Sequence, residues 1–502
     1  MAAYSAVTVF WQTLEQLLDS DQFPPHVSKT QIISLRENIC SLQSSLDKIS
    51  FVPKLKRDKM KDLQTRIREA IYAAQDEVEY WIRGHSPTKS DEKTIQKLEE
   101  DIKLVENDAV EMEREIRNDT EAQNLFLESD AQPLFNFNGN DKIVGQEEDF
   151  KNVLEELDAL VNLIGRNLIS VSEISSSGGI KVCSIQSSLR KLAEIESGKE
   201  KFFHCRKKYK QQLEEGTKFQ RRVSVHINPL MSLENVYKTT KTITSARSLL
   251  YLGPHHHHPL PFCLTFDLLR VLDAFIVYFV EFPDEFLQLV HLTYLSLTYN
   301  DEIPPEISLQ KLQVLMVRRI PKLIFIGVSF LPDEIWEMPV LQHLWFTETD
   351  FPALPQNIPQ HKALLLNLQT LSHISAASCT RDVLRSMPSL KKLSMWAEAP
   401  GVIGLYLDKL KQLEAFKFIV LHLSPKKQVE FEPEISFPQT LRKLSLSGIA
   451  MSSDIEFIGP LRLIELVDCS PQAVESAEVI KQEQEVYYER KDFQVRIYCS
   501  YV

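Results

Sequence analysis

Leu292-Thr293-Tyr294-Leu295-Ser296-Leu297 is one copy of a pattern, L-x-x-L-x-L, that runs down the C-terminal half of the chain. Sharp copies also start at Leu312, Leu341, Leu390, Leu441 and Leu461, with Val317, Phe346, Met395 and Ile464 each replacing one leucine. Looser copies start at Leu269, Leu368 and Leu413. From Leu269 onward, successive starts lie 23, 20, 29, 27, 22, 23, 28 and 20 residues apart. Each copy reads as a short strand with its leucines pointing inward. One copy cannot bury that face by itself, so the copies stack into a curved solenoid. The residues between the leucines then line an exposed concave sheet, a surface for partners.

The period, together with a polar or thiol residue three positions past the last leucine (Asn300, Cys469), resembles the leucine-rich repeat. Partner contacts are expected from Tyr294, Thr298, Arg318, His343, Trp345, Trp396 and Lys417, since aromatic and Arg side chains are the usual carriers of binding energy.

A chain of 502 residues is too long for one core, so several units are expected. It is 43% hydrophobic and 25% charged, an ordinary soluble composition. The net charge of −12 disfavours non-specific nucleic-acid binding. Seven cysteines (40, 183, 205, 263, 379, 469 and 499) are scattered without a CxxC pair, which suits a reducing cytosol. The N-terminus lacks a basic n-region and reaches Glu15 early, a poor signal peptide. No uncharged apolar run approaches the roughly 18 residues of a membrane span.

Residues 1–127 read as helices. Apolar residues step by three and four from Ile32 to Ile49, from Met60 to Ile82, and from Ile95 to Ile116. Pro24-Pro25, Val52-Pro53 and the stretch Gly84 to Pro87 separate the runs. A shorter helix near Tyr4 to Leu18 carries Val7, Val9, Trp11, Leu14, Leu17 and Leu18. Short connections imply an antiparallel bundle. The acidic residues Glu99, Glu100, Asp101, Glu106, Asp108, Glu111 and Glu113 are expected to form a solvated outer face.

The third helix contains Gln75-Asp76-Glu77-Val78-Glu79. A helical bundle with such a segment, followed far downstream by irregular leucine-rich repeats, resembles the coiled-coil class of plant intracellular immune receptors. Within that class it is most similar to the late-blight resistance group of the nightshade family. The class carries E-D-V-I-D at this place; Asp76 and Glu79 keep the acidity and Gln75 departs. The resemblance implies that Asp76, Glu77 and Glu79 form an acidic patch meeting basic residues of the repeats. It also implies a cytoplasmic protein recognising a pathogen effector or a guarded host protein, with bundle-to-bundle or bundle-to-repeat association between related receptors. In the class, the first helix can enter a membrane. Here it lacks a dense Lys/Arg flank, so packing within the bundle is the preferred reading and peripheral membrane contact the alternative.

The centre of the class is an ADP/ATP switch, and this chain departs from it. Ile143-Val144-Gly145-Gln146-Glu147 resembles the start of that module. No G-x-x-x-x-G-K-[ST] follows; the only Gly-Lys, Gly198-Lys199, precedes Glu200. Without that loop there are no N–H groups for the phosphates and no Lys beside them. Val271-Leu272-Asp273 falls in a repeat and is read as solenoid. Instead, Leu157 is followed almost directly by a hairpin, Asn167 to Ser172 and Ile180 to Ile185 around Ser175–Gly179, and a helix from Ser187 to Glu196. This resembles the winged-helix end of the switch. Where the class senses ADP with His-Asp, Gln186 and Ser187 stand.

The expected organisation is a helical bundle over 1–128, a linker over 129–159, a winged-helix remnant over 160–225 and an α/β leucine-rich-repeat solenoid over 226–502. No metal site is expected; His255 to His258 in a Pro-flanked loop reads as solvated. No catalytic residues, nucleotide or other cofactor and no nucleic-acid partner are expected. Three roles remain: a receptor that triggers defence, a non-switching adaptor or decoy, and an ATP/ADP switch should the message encode a further segment. The protein as it stands is predicted to purify without ADP or ATP. Chromatography of the nucleotides released on denaturation checks this, and stoichiometric nucleotide would contradict it.

Overall fold

The computed structural model describes residues 2–18, 23, 28–48, 57–82, 89–123, 160–161, 163–174, 180–199, 203–206, 221–226, 245–254, 268–309, 311–320, 330–355, 364–398, 401–403, 407–421, 429–431, 437–450, 461–487 and 493–498. The stretches at 143–147, 175–179 and 255–258 singled out above lie outside the described residues. The chain divides into two compact units, Met1–Asp158 and Ala159–Val502.

Among the described residues the first unit holds four helices: α1 (Ala2–Leu18), α2 (Lys29–Lys48), α3 (Arg57–Ile82) and α4 (Lys89–Gln123). Their apolar stripes form one core that includes Phe10, Leu14, Ile39, Leu42, Ile67, Ile71, Val78, Ile102 and Ala109. The stripes are where the spacing places them, because positions three and four apart share a helix face. Val7 and Leu14 of α1 are fully buried in this core, as the packed-helix reading expects. Arg66 pairs with Asp108, and Lys59 with Glu115 at 3.6 Å. Moving up α3 by seven residues moves down α4 by seven, so the two helices run antiparallel. Ser41 of α2 donates to Glu106, and Arg36 of α2 pairs with Glu15 of α1 at 3.1 Å. The acidic face of α4 is therefore not wholly solvated: Glu106 and Asp108 tie α4 to its neighbours.

In the second unit, β1 (Ile169–Ile174) and β2 (Ile180–Ile185) form an antiparallel hairpin, with Ile169 opposite Ile185. Helix α5 (Ser187–Lys199) follows. The remaining strands are β3 (His204–Arg206), β4 (Arg222–His226), β5 (Ser248–Leu252), β6 (Val271–Phe279), β7 (Tyr294–Tyr299), β8 (Val314–Arg318), β9 (His343–Thr349), β10 (Thr370–Ser375), β11 (Lys392–Glu398), β12 (Gly401–Ile403), β13 (Ala415–Leu421), β14 (Val429–Phe431), β15 (Lys443–Ser447), β16 (Ile449–Ala450), β17 (Leu463–Val467) and β18 (Gln494–Tyr498). Thirteen of these, in the order β3 to β11, β13, β15, β17, β18, form a single sheet among the described residues. β12, β14 and β16 form a second, short parallel sheet.

Every neighbouring pair in the long sheet is parallel, and the register follows the repeat. Val271 faces Tyr294, Tyr294 faces Val314, Val314 faces His343 and His343 faces Thr370. Thr370 faces Lys392, Lys392 faces Ala415, Ala415 faces Lys443 and Lys443 faces Leu463. These steps reproduce the sequence intervals one for one. Leu292, Leu295 and Leu297, and their counterparts Leu341, Leu344 and Phe346, are fully buried in one continuous core. Variable lengths between copies are absorbed in single helical turns, such as Asp284–Leu287 and Arg381–Arg385, and in 3₁₀ turns such as Asp333–Glu337. The expected polar caps are present. Ile320 N–H donates to Asn300 Oδ1 at 2.7 Å, and Cys469 S–H donates to Leu446 O at 3.4 Å.

The sheet reaches further than the leucine pattern at both ends. β3, β4 and β5 precede the first recognised copy; β3 and all of β4 but His226 fall within the stretch 160–225. Val223, Val225, Ala246, Leu249 and Tyr251 fill the leucine positions there and are buried. At the other end the leucine pattern stops before Val486. The helix Pro471–Tyr487 is nonetheless followed by β18, in register with β17 from Leu463 opposite Gln494.

Two changes separate packing from surface charge. Leu344→Ala opens a hole in a core with no room to collapse and is predicted to cost about 2–5 kcal/mol in chemical denaturation. Arg66→Ala removes a part-exposed ion pair and is predicted to cost about 1 kcal/mol or less.

Candidate partner-binding face

Alternation along each strand sends the leucine positions into the core and the residues between them to the open face of the sheet. On that face, from β6 to β13, aromatic and cationic side chains converge. The Phe275 and Trp345 rings lie 5.4 Å apart, tilted by 57°. His373 also meets Trp345, with ring centroids 5.5 Å apart, edge to face. The Arg318 guanidinium lies over the Phe275 ring at 5.8 Å. His343 Nδ1 and Thr370 Oγ1 share a hydrogen bond of 3.1 Å across β9 and β10.

Two local irregularities build this cluster. β6 carries extra residues between Ala274 and Tyr278, and the bulge re-aims Phe275. β10 is irregular between Leu371 and Ile374, and His373 there has φ 63°, the left-handed region that a non-glycine residue enters only at a cost. Glu348, one strand away, has φ 51°. The chain accepts this strain in the middle of the face and sets an imidazole against Trp345.

Five of the seven expected contact residues are accessible: Tyr294, Arg318, His343 and Trp345 are half-buried and Lys417 is exposed. Two are corrected. Thr298 is only 3% exposed and donates to Phe275 O, because the bulged β6 backbone lies over it. Trp396 is 2% exposed between Ser375 and Ile419 of the flanking strands, so its ring is packing and not surface. Residues missed by the repeat pattern are Phe275 and His373. Neither occupies a regular position between leucines, and no spacing rule finds a bulge.

The other expected site is also revised. Asp76 and Glu77 are half-buried on α3, but Glu79 is fully buried and accepts from Gln75 Nε2 at 2.7 Å. Gln75 and Glu79 follow Ala74 and Val78 by one position and flank the apolar stripe, which draws them inside. Glu79 thus belongs to the bundle interior and not to a surface patch. Gln186 and Ser187, in place of His-Asp, sit exposed where β2 passes into α5. Asp273 of the Val271-Leu272-Asp273 triplet lies in β6, as the solenoid reading expects; burial raises the Tyr294 hydroxyl, and the Asp273 charge adds to it.

Among the described residues no group of His, Cys, Asp and Glu could hold a metal ion. No helix there is long and apolar enough to cross a membrane. Burial pushes the Cys379 thiol up to about 12, so this thiol stays protonated at neutral pH.

A family model agrees with the ladder. Residues 245–475 match the model of the leucine-rich repeat region. No curated protein matches the sequence. Among solved structures, a leucine-rich-repeat protein of Leptospira interrogans aligns at 14% identity and a TM-score of 0.27, over 56% of this chain and 62% of that one. This chain therefore spans less than two thirds of that protein.

Both histidines titrate below the ordinary value. Burial lowers His343, then Lys392; burial lowers His373, then Lys417. As pH falls through about 6.5, the unfolded histidines take up protons while the folded ones stay neutral. The unfolded state then binds more protons, so stability drops below about pH 6.5 and levels off once the folded rings protonate. The double variant His343→Gln, His373→Asn is predicted to flatten this drop in urea melts at several pH values. An unchanged slope would contradict it.

Proposed function

We propose that the chain is a non-enzymatic recognition protein of the plant immune-receptor kind; the match of residues 245–475 to the leucine-rich repeat region supports the recognition role. Its open face captures a pathogen effector or a guarded host protein in the cytoplasm, and its bundle passes the signal on or pairs with other bundles. The observation that carries the binding part is the Phe275–Trp345–His373 cluster with Arg318 and Lys417, held on a rigid parallel ladder. Aromatic and Arg groups fixed in place lose little freedom on binding, which makes such clusters effective anchors. The immune setting rests on the joint presence of the bundle, the acidic segment on α3 and the irregular repeats.

The absent phosphate loop favours a second reading, a non-switching adaptor or decoy that binds the same partners. Co-expression in leaf tissue with an intact relative separates the two. A receptor raises cell death on challenge, whereas an adaptor dampens it.

Binding is tested by a photo-crosslinking residue placed at Thr370 on the open face or at Lys311 outside it. In extracts of challenged tissue, a discrete cross-linked partner is predicted from Thr370 and not from Lys311. Trp345→Ala is expected to weaken that capture at least tenfold, about 1.4 kcal/mol. Equal cross-linking from both positions would contradict the reading.

A further inference from the structure

Charge on the open face is uneven. Towards the C-terminal end it is compensated: Lys443 pairs with Glu465 at 2.7 Å, and Arg496 approaches the same carboxylate at 3.6 Å. One step back, Lys392 on β11 and Lys417 on β13 are both exposed and have no acidic partner among the described residues. Glu398, at the far end of β11, bonds neither. The register places Ser394 opposite Lys417, so the two lysines are one strand and two residues apart. From strand spacing and rise, their Cα atoms are roughly 8 Å apart.

The same strand holds an unused donor. Among the described residues Ser394 Oγ has no hydrogen-bond partner; Trp396 Nε1 also has none, but its ring is enclosed in the packing and does not serve the open face. Buried polar groups are ordinarily satisfied, and those left over call for an acceptor. Next to it stand His343, His373 and the Trp345 ring. Burial lowers both imidazoles, and the positive charge of Lys392 on His343 and of Lys417 on His373 adds to it.

We propose that β9 to β13 form a subsite for a carboxylate-rich segment of a protein partner, laid across Lys392 and Lys417 with an apolar side chain against Trp345. This rests on the recognition reading above and names the chemistry of the partner. In an extended peptide, side chains at i and i+2 share a side and stand about 6.8 Å apart, a fit to two cations at this spacing. Two uncompensated lysines suffice for two carboxylates. A nucleic acid would bring a continuous line of phosphates to a chain of net charge −12, which repels it.

The test uses the full chain and a short fluorescein-labelled peptide with Glu at alternate positions around one Leu. A control peptide has Gln at every Glu. Fluorescence polarisation is expected to show binding of the Glu peptide, none of the Gln peptide at the same concentration, and weakening as salt rises from about 50 to about 200 mM. Lys392→Glu with Lys417→Glu is expected to lose about a hundredfold in affinity, and Lys311→Glu nothing. Should the reversal variant misfold by circular dichroism, Lys392→Gln with Lys417→Gln replaces it and is expected to lose about tenfold. Equal binding of the Gln peptide, full binding by the folded variants, or equal competition by a DNA oligonucleotide of the same charge would overturn the proposal. If the Glu peptide fails while Thr370 still cross-links a partner, only this inference falls. If both fail, the recognition reading falls with it.

Discussion

No single turn of this chain can bury its own leucines; everything else in the second unit depends on that constraint. Leu295 and Leu297 become fully buried only because Leu315 and Val317 stack beside them, and those only because Leu344 and Phe346 do in turn. Burying one such side chain contributes about 1.5–3 kcal/mol, more than one net backbone hydrogen bond at about 1 kcal/mol. Burial therefore outweighs hydrogen bonding, and the parallel ladder sets the register in which it happens. The regular contacts Gln313 N–H to Thr293 O, Gln342 N–H to Gln313 O and Gln369 N–H to Gln342 O, each 2.8 Å, hold adjacent turns in step.

A ladder fixed in this way leaves the opposite face free to vary. Side chains there are positioned by strands that the core has already ordered, so little entropy is lost when they meet a partner. Three departures from regularity gather in the middle of the ladder: the β6 bulge, the left-handed His373 and the left-handed Glu348. Strain of this kind persists only where surrounding packing over-determines it, and here it gathers Phe275, Trp345 and His373 into one cluster. Lys392 and Lys417 then stand beside it with no acidic partner among the described residues, in a chain that is acidic overall.

The repeat spacing was legible because it is a burial pattern: Val271 to Leu463 pair at the intervals the leucines announce. The helical bundle was legible for the same reason, through stripes such as Ile67, Ile71, Ala74 and Val78. Turns in which Val, Ala or Tyr fill the leucine positions were not legible. Val223, Ala246 and Tyr251 satisfy the same burial without the same letters. At the face, Tyr294, Arg318, His343, Trp345 and Lys417 followed from alternation. Thr298 and Trp396 did not behave as expected, because a bulge on a neighbouring strand and a large ring between short neighbours decide exposure, and neither is written in one strand's pattern. Glu79 makes the same point in the bundle, where an acidic letter at the margin of an apolar stripe was drawn inside.

A preformed open face requires one continuous ladder from β4 to β17 that holds it rigid. Hydrogen exchange read by mass spectrometry measures this directly, since ladder amides open only with the turns that flank them. Slow exchange is predicted through all the strands of the long sheet from β4 to β17, including β4 and β5, where the leucine letters are missing. Fast exchange in β4 and β5, or a break between β8 and β11, would contradict a single stacked core and with it the preformed face.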